Sequence, residues 1–246
     1  LLQPQFVMSV GDLIEGYTED EETIRLQWDE VMGIVGRLQM PFCFLPGNHD
    51  LSNPALAEAW RKRFGRTYYS FVYGDELYLL LDTEDGASGR IGPAQRQQVA
   101  AMLAANQDVR WTFVFLHEPL WAYPEEAGWP AVAALLADRP HTVFAGHWHG
   151  YMKEERGGRA YYMLATTGGS SSLAGPAFGQ FDHIAWVTVG PDTVRVANLL
   201  LDGVLGDELE HIGCRQVHAH VGPFTRAGCL QQQAVLIGHQ AVAGLP

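Results

Sequence analysis

The chain has 246 residues, 47% of them apolar, which is enough for one large domain with a sizeable core and argues against global disorder. Sixteen basic residues against 28 acidic ones give a formal charge of -12, which excludes nucleic acid or an anionic membrane surface gripped by bulk charge. Three cysteines, Cys43, Cys214 and Cys229, are too few and odd in number for a disulfide framework, and no strongly apolar run is long enough to span a membrane.

The chain opens Leu1-Leu2-Gln3-Pro4 and is already in an apolar run at Phe6. Phe6 to Val10 reads as a strand that stops at Gly11-Asp12, followed by a helical pattern from Glu21 to Leu38. A second strand, Pro41 to Leu45, stops at Pro46-Gly47-Asn48-His49-Asp50. Asn53-Pro54 and Gly92-Pro93 open helices over Pro54 to Phe64 and Pro93 to Asn106, because proline suits the first helical turn. Between and after them, strands Tyr78 to Leu81 and Trp111 to Leu116 stop at Asp82 and His117. A helix from Trp129 to Asp138 precedes the strand Thr142 to Ala145, which stops at Gly146-His147-Trp148-His149. Tyr161 to Leu164, Ile184 to Val189 and Thr193 to Asn198 read as strands without long helices between them.

Short uninterrupted apolar runs suit strands buried on both faces. Their alternation with helices predicts a layered α/β fold whose sheet turns mixed or antiparallel towards the end. Composition changes after residue 210: the first 210 residues carry all 28 acids and a charge of -14, while residues 211–246 carry +2 and four of the ten histidines. The expected organisation is one domain over 1–210 and an atypical tail over 211–246. Within the tail, Cys214, His218 and His220 fit no zinc-module spacing.

Ligands of α/β sheets bind beyond the carboxyl ends of strands. Those ends carry Asp12, Asn48, His49, His117, His147 and His149. One carboxylate, one amide oxygen and several imidazoles suit manganese, iron or zinc better than calcium or magnesium, which prefer all-oxygen cages.

Gly11-Asp12, Gly47-Asn48-His49-Asp50, the lone His117 after a strand, and Gly146-His147-Trp148-His149 together resemble the ordered motifs of calcineurin-like metallophosphoesterases, a family that includes purple acid phosphatases and class III phosphodiesterases. The resemblance runs over about residues 5–200. It implies a four-layer α/β/β/α sandwich of two mixed sheets, the metallo-dependent phosphatase fold. It also implies two divalent or trivalent metal ions, hydrolysis of phosphate mono- or diesters by a metal-bridging hydroxide, and small phosphorylated substrates. By motif, Asp12 would bridge the ions, Asn48, His117 and His147 would complete one site, and His149 would belong to the other. His49 would assist the leaving oxygen, with Asp50 orienting it. Asp82, Glu84 and Asp85 are candidates to hold the outer ring nitrogens of the histidines.

One motif of the family has no counterpart: no Asp-x-His precedes Gly11, because only ten residues do. The abrupt start points to a first strand lying outside this sequence. The alternative is an inactive or mononuclear relative serving as a binding or scaffold module. Tyr17, Trp121 and Trp148 are the expected substrate contacts, as aromatics close to a metal can stack on a base or aryl group. The loop Thr166 to Ser172 is expected to be flexible, able to close over the site or offer N–H groups to phosphate, and Arg66 to lie on a surface turn. The few unpaired cysteines lean towards a cytoplasmic setting.

Overall fold

A computed structural model of the chain describes residues 3–209 and 234–239. Cys214, His218 and His220 fall outside these residues.

Two six-stranded mixed sheets pack face to face, each with helices on its outer side. The first runs β11-β10-β9-β12-β1-β2, made of β1 (Phe6–Ser9), β2 (Phe42–Cys43), β9 (Ile184–Val189), β10 (Val194–Leu199), β11 (Val204–Gly206) and β12 (Ala234–His239). The second runs β3-β4-β5-β6-β8-β7, made of β3 (Tyr69–Tyr73), β4 (Glu76–Leu81), β5 (Trp111–Leu116), β6 (His141–Ala145), β7 (Met152–Arg156) and β8 (Arg159–Met163). Alternate side chains of the two sheets, among them Phe6, Met8, Tyr78, Phe113, Phe115, Phe144, Val187 and Ile237, form the central core.

Helices α1 (Glu21–Val35) and α3 (Pro54–Phe64), with the single turn α2 (Asn48–Leu51) between them, bury Ile24, Trp28, Leu56 and Trp60 in a second cluster with Phe42 and Phe44 beside β2. Helices α4 (Pro93–Ala105) and α5 (Trp129–Leu136) bury Val99, Leu103, Val132 and Leu136 against the outer face of the second sheet. These four layers explain the strand patterns. β4 and β6 are buried at every position because helix covers one face and sheet the other. β9 alternates half-buried and buried, as a strand does when one face alone meets the core.

Local chemistry sets the helix ends. Asp20 caps α1, accepting the Thr23 N–H at 2.8 Å, and Asn53 caps α3, accepting that of Leu56 at 3.1 Å. α1 stops at Val35, three residues before the patterned Leu38, with the Gly36 N–H donating back to the Met32 carbonyl at 2.8 Å. The edge strands β3, β7 and β11 do not read as apolar runs because each leaves two residues exposed to solvent.

The tail departs most from expectation. Its segment Ala234–His239 lies inside the first sheet, antiparallel to β1 and parallel to β9, with Val235 and Ile237 fully buried. Charge and histidine content obscured the apolar stretch Ala234-Val235-Leu236-Ile237. Among the described residues no helix is long and apolar enough to cross a membrane.

Candidate metal centre

β1 and β2 are parallel in the first sheet, and β4, β5, β6 and β8 are parallel in the second. Side chains that follow β1, β2, β5 and β6 therefore emerge at one end of the sandwich. The ends of β5 and β6 are tied by the Gly146 N–H, which donates to the His117 carbonyl at 2.8 Å.

The backbone there is strained. Among the described residues, Asp12, Tyr17, His147 and His149 are four of only five non-glycine residues with positive φ. Such backbone costs energy and gathers where surrounding structure holds a functional geometry. Gly47 permits the closest approach: a Cβ there would stand 2.3 Å from Asp12 Oδ1.

Four donors converge. His117 Nε2 and His147 Nδ1 lie 3.1 Å apart, and each is 2.9 Å from Asn48 Oδ1. Asp12 Oδ2 lies 3.2 Å from His117 Nε2. Donors about 2.1 Å from one ion are separated by about 3.0–3.4 Å, so this set fits a single bound cation. Among the described residues, Asp12, His117 and His147 form the one group of His, Cys, Asp or Glu whose ligand atoms all lie within 4.8 Å of one another.

Each donor is aimed by a second contact. The Asn48 amide donates to the Tyr17 hydroxyl at 2.5 Å, which turns Oδ1 towards the histidines. His117 Nδ1 donates to the Val10 carbonyl at 2.7 Å, fixing Nε2 on the centre. The His49 N–H donates to Asp12 Oδ1 at 3.1 Å.

Electrostatics couple the set. Burial alone would raise Asp12, but the charge and hydrogen bond of His117, with His49 behind them, hold its carboxyl well below the usual range. Burial works against a charge on His117, and the facing Asp12 carboxylate outweighs it, lifting the imidazole to about 9. Burial and the His117 charge push His147 down to about 4. Two carboxyls stand beside the centre: burial and the hydrogen-bonded Glu118 lift Glu84 to about 8. Glu118 stays below its ordinary value because bonds from Glu84 and Tyr123 outweigh its burial.

The remaining expected site residues are distributed unevenly. His149 donates from Nδ1 to the Ser170 carbonyl at 2.7 Å and supplies no atom to the compact donor group. The loop Thr166 to Ser172 thus meets His149 through a carbonyl, where N–H groups for phosphate had been expected. His49 does not rest on Asp50. Its Nδ1 donates to the Glu15 carbonyl at 2.6 Å, and its Nε2 lies 3.9 Å from Asp12 Oδ2. Asp50 is fully buried and accepts the N–H groups of Leu13, Ile14 and Gly47 at 3.0, 3.2 and 2.8 Å, so it braces the Asp12 loop and leaves His49 to the backbone.

Trp121 is likewise not a rim residue: it is buried in the core and packs on Trp129 and Tyr161. Tyr17 and Trp148 are exposed beside the centre, Tyr17 against the His49 ring and Trp148 over Tyr123. Arg66 lines a recess of about 590 Å³ with Arg61, Asp82 and Glu84. Glu118 escaped the sequence reading because nothing in its surroundings distinguishes it except its place after His117.

A two-sheet sandwich with carboxylate, amide and imidazole donors at the ends of its parallel strands defines a metal-dependent phosphatase fold. The sequence model of the calcineurin-like phosphoesterases matches residues 1–151, and the chain belongs to that family. The chain is 28% identical over 171 residues to the rat serine/threonine-protein phosphatase CPPED1 and 26% identical over 174 residues to the human one, in each case over 60% of this chain and 54% of the relative. It thus spans about half the length of the curated relatives it matches. Two solved structures share the fold. Purple acid phosphatase PPD1 from yellow lupin seeds has a TM-score of 0.55 and 13% identity, over 95% of this chain and 47% of that one. GAP50, the anchor in the inner membrane complex of Plasmodium, has a TM-score of 0.51 and 14% identity, over 81% of this chain and 72% of that one.

Proposed function

We propose that the chain is a metal-dependent phosphoesterase acting on phosphate monoesters, with phosphoserine and phosphothreonine peptides as the substrates to try first. The convergence of Asp12, Asn48, His117 and His147 onto one point carries this reading. The family, and the phosphatase relatives named above, support the reaction class.

These four residues would hold a manganese, iron or zinc ion, and a further ion would draw on Asp12 and His149. When bound, such an ion supplies Lewis acidity towards phosphoryl oxygen and lowers the pKa of water. The protein does the rest. His49, its Nδ1–H held by the Glu15 carbonyl, keeps Nε2 turned to the centre, where the doubly protonated ring can pass its Nε2 proton to the departing alkoxide. Tyr17 holds Asn48 in register, and the exposed Tyr17 and Trp148 rings flank the leaving group. Asp50 fixes the Asp12 loop by its three N–H bonds.

The test is metal analysis of the purified chain together with turnover of an aryl phosphate, a bis-aryl phosphate and a phosphoserine peptide in manganese. One equivalent of metal, and a slow monoester hydrolysis that chelation or His117→Ala abolishes, is expected. A chain that binds no metal, or whose turnover ignores chelator, overturns the reading.

A further inference from the structure

The four histidines at the sandwich end are not held alike. His117, His49 and His149 each give one ring nitrogen to a backbone carbonyl, of Val10, Glu15 and Ser170, at 2.7, 2.6 and 2.7 Å. His147 departs from this pattern. Its Nδ1 faces Asn48 and His117, and its outer Nε2 looks to a side chain, Glu118 Oε2, at 3.9 Å.

Glu118 is unusually well fixed for a glutamate beside a surface site. It is 3% exposed. Ser88 donates its hydroxyl to Oε1 at 2.9 Å, and Tyr123 and Glu84 also hydrogen-bond the carboxylate. Gly89 lies so near that a Cβ there would stand 3.2 Å from Glu118 Oε2. The side chain is therefore confined from several sides, with His147 on the remaining one. A histidine that binds metal nearly always passes its other N–H to a carboxylate or carbonyl, which sets the tautomer and raises the basicity of the ligating nitrogen.

We propose that Glu118 is the positioning residue of His147, held in place by Ser88, Tyr123 and Glu84, and that it tunes the affinity of the centre for a divalent cation. The inference rests on the metal-centre reading above. Glu118 touches neither substrate nor ion. At 3.9 Å it acts through the imidazole by its charge, which favours the proton on Nε2 so that Nδ1 presents its lone pair.

Cobalt(II) is the probe, because its visible spectrum reports the ligand field directly and independently of turnover. The full chain is titrated with cobalt(II), and with manganese(II) by calorimetry, for the wild type, Glu118→Gln, Glu118→Ala and Tyr123→Phe, with circular dichroism on each. Glu118→Ala is expected to weaken both metals by about 10- to 100-fold and to alter the cobalt spectrum. Glu118→Gln, which keeps an acceptor and loses the charge, is expected to fall between, and Tyr123→Phe to show a smaller loss. Should Glu118→Ala fail to fold, the near-isosteric Glu118→Gln decides. Folded variants with wild-type affinity and an unchanged cobalt spectrum overturn the proposal. No binding by the wild type itself overturns the metal centre and this inference with it.

Discussion

Asp12 Oδ2 and His117 Nε2 face each other at 3.2 Å, a carboxylate held ionised and an imidazole lifted to about 9. In the metal-free chain this is a buried ion pair, so the proton on His117 occupies the position a cation would take. Binding of metal must expel it. Between about pH 6 and 8 the affinity for manganese is expected to rise about tenfold per pH unit and to level off near 9, with one proton released per ion. Calorimetry in buffers of different ionisation enthalpy measures that proton, and a pH-independent affinity would contradict the ion-pair account. The same shift has a stability consequence of the opposite sense. His117 binds its proton more tightly folded than unfolded, so its contribution to the metal-free fold is complete below pH 6.5 and is lost as the pH climbs through 9.

Gly47 makes the pair sterically possible. A Cβ there would lie 2.3 Å from Asp12 Oδ1 and 2.8 Å from His117 Nδ1, neither of them at the end of a flexible chain. Gly47→Ala should therefore cost about 1–3 kcal/mol and remove metal binding. Gly33, exposed within α1 with nothing within 4 Å of an added Cβ, supplies the contrast: Gly33→Ala should stabilise by up to about 1 kcal/mol and leave metal affinity unchanged. If the crowding argument is right, the thermal melts of the two variants shift in opposite directions and metal titration is lost in Gly47→Ala alone.

Asp50 separates bracing from catalysis. Asp50→Ala would strand three buried N–H groups, at about 1–3 kcal/mol each, and is expected to lower the melting temperature severely. Asp50→Asn keeps an acceptor and should lose less. In the folded Asp50→Asn variant, the loss of turnover is expected to follow the loss of metal affinity, because Asp50 braces the Asp12 loop while the Glu15 carbonyl holds His49. Turnover lost at saturating metal would restore Asp50 as the partner of His49.

The donors at this end were legible because each closes an apolar run, and a strand that stops at Asp or His announces where its side chain emerges. Chain direction was legible in the same way, since parallel strands separated by helices deliver their ends to one side. Three things were not. Edge strands such as β7, Met152–Arg156, expose a face and lose the apolar signature. β12 hid behind the charge balance of the tail. Trp121 and Trp148 look equivalent in sequence, four and one residues past a ligand, yet one backs the sheet and the other overhangs the centre, a difference set by the three-residue helical turn Leu120–Ala122.

That difference is measurable. Trp121 fills space between Trp129 and Tyr161, so Trp121→Ala should cost about 3–5 kcal/mol by opening a cavity. Trp148 is 36% exposed over Tyr123. Trp148→Ala should change stability by less than about 1 kcal/mol while raising KM for aryl and peptide substrates with kcat largely kept. Equal destabilisation by both substitutions would place Trp148 in the core as well.

His183 predicts how the fold meets acid. It is 4% exposed, and both ring nitrogens are committed in the neutral form: Nδ1 donates to Asn198 Oδ1 at 2.8 Å, and Nε2 accepts the Ala165 N–H at 3.1 Å. A second proton would have to go on Nε2, where it would face that N–H. Burial carries the imidazole down from 6.5 to about 4, against the Asn198 bond and the Asp182 charge, which favour the proton. The unfolded chain then binds the proton more readily than the folded one, so the stability His183 contributes is complete above pH 6.5 and is lost as the pH falls through 4. The span corresponds to about 3 kcal/mol. Denaturant unfolding of wild type and His183→Leu at several pH values isolates it, because the other histidines cancel in the difference. The variant should be less stable near neutrality and lose less on acidification between 6.5 and 4; parallel pH curves would show that His183 is protonated without penalty in the native fold.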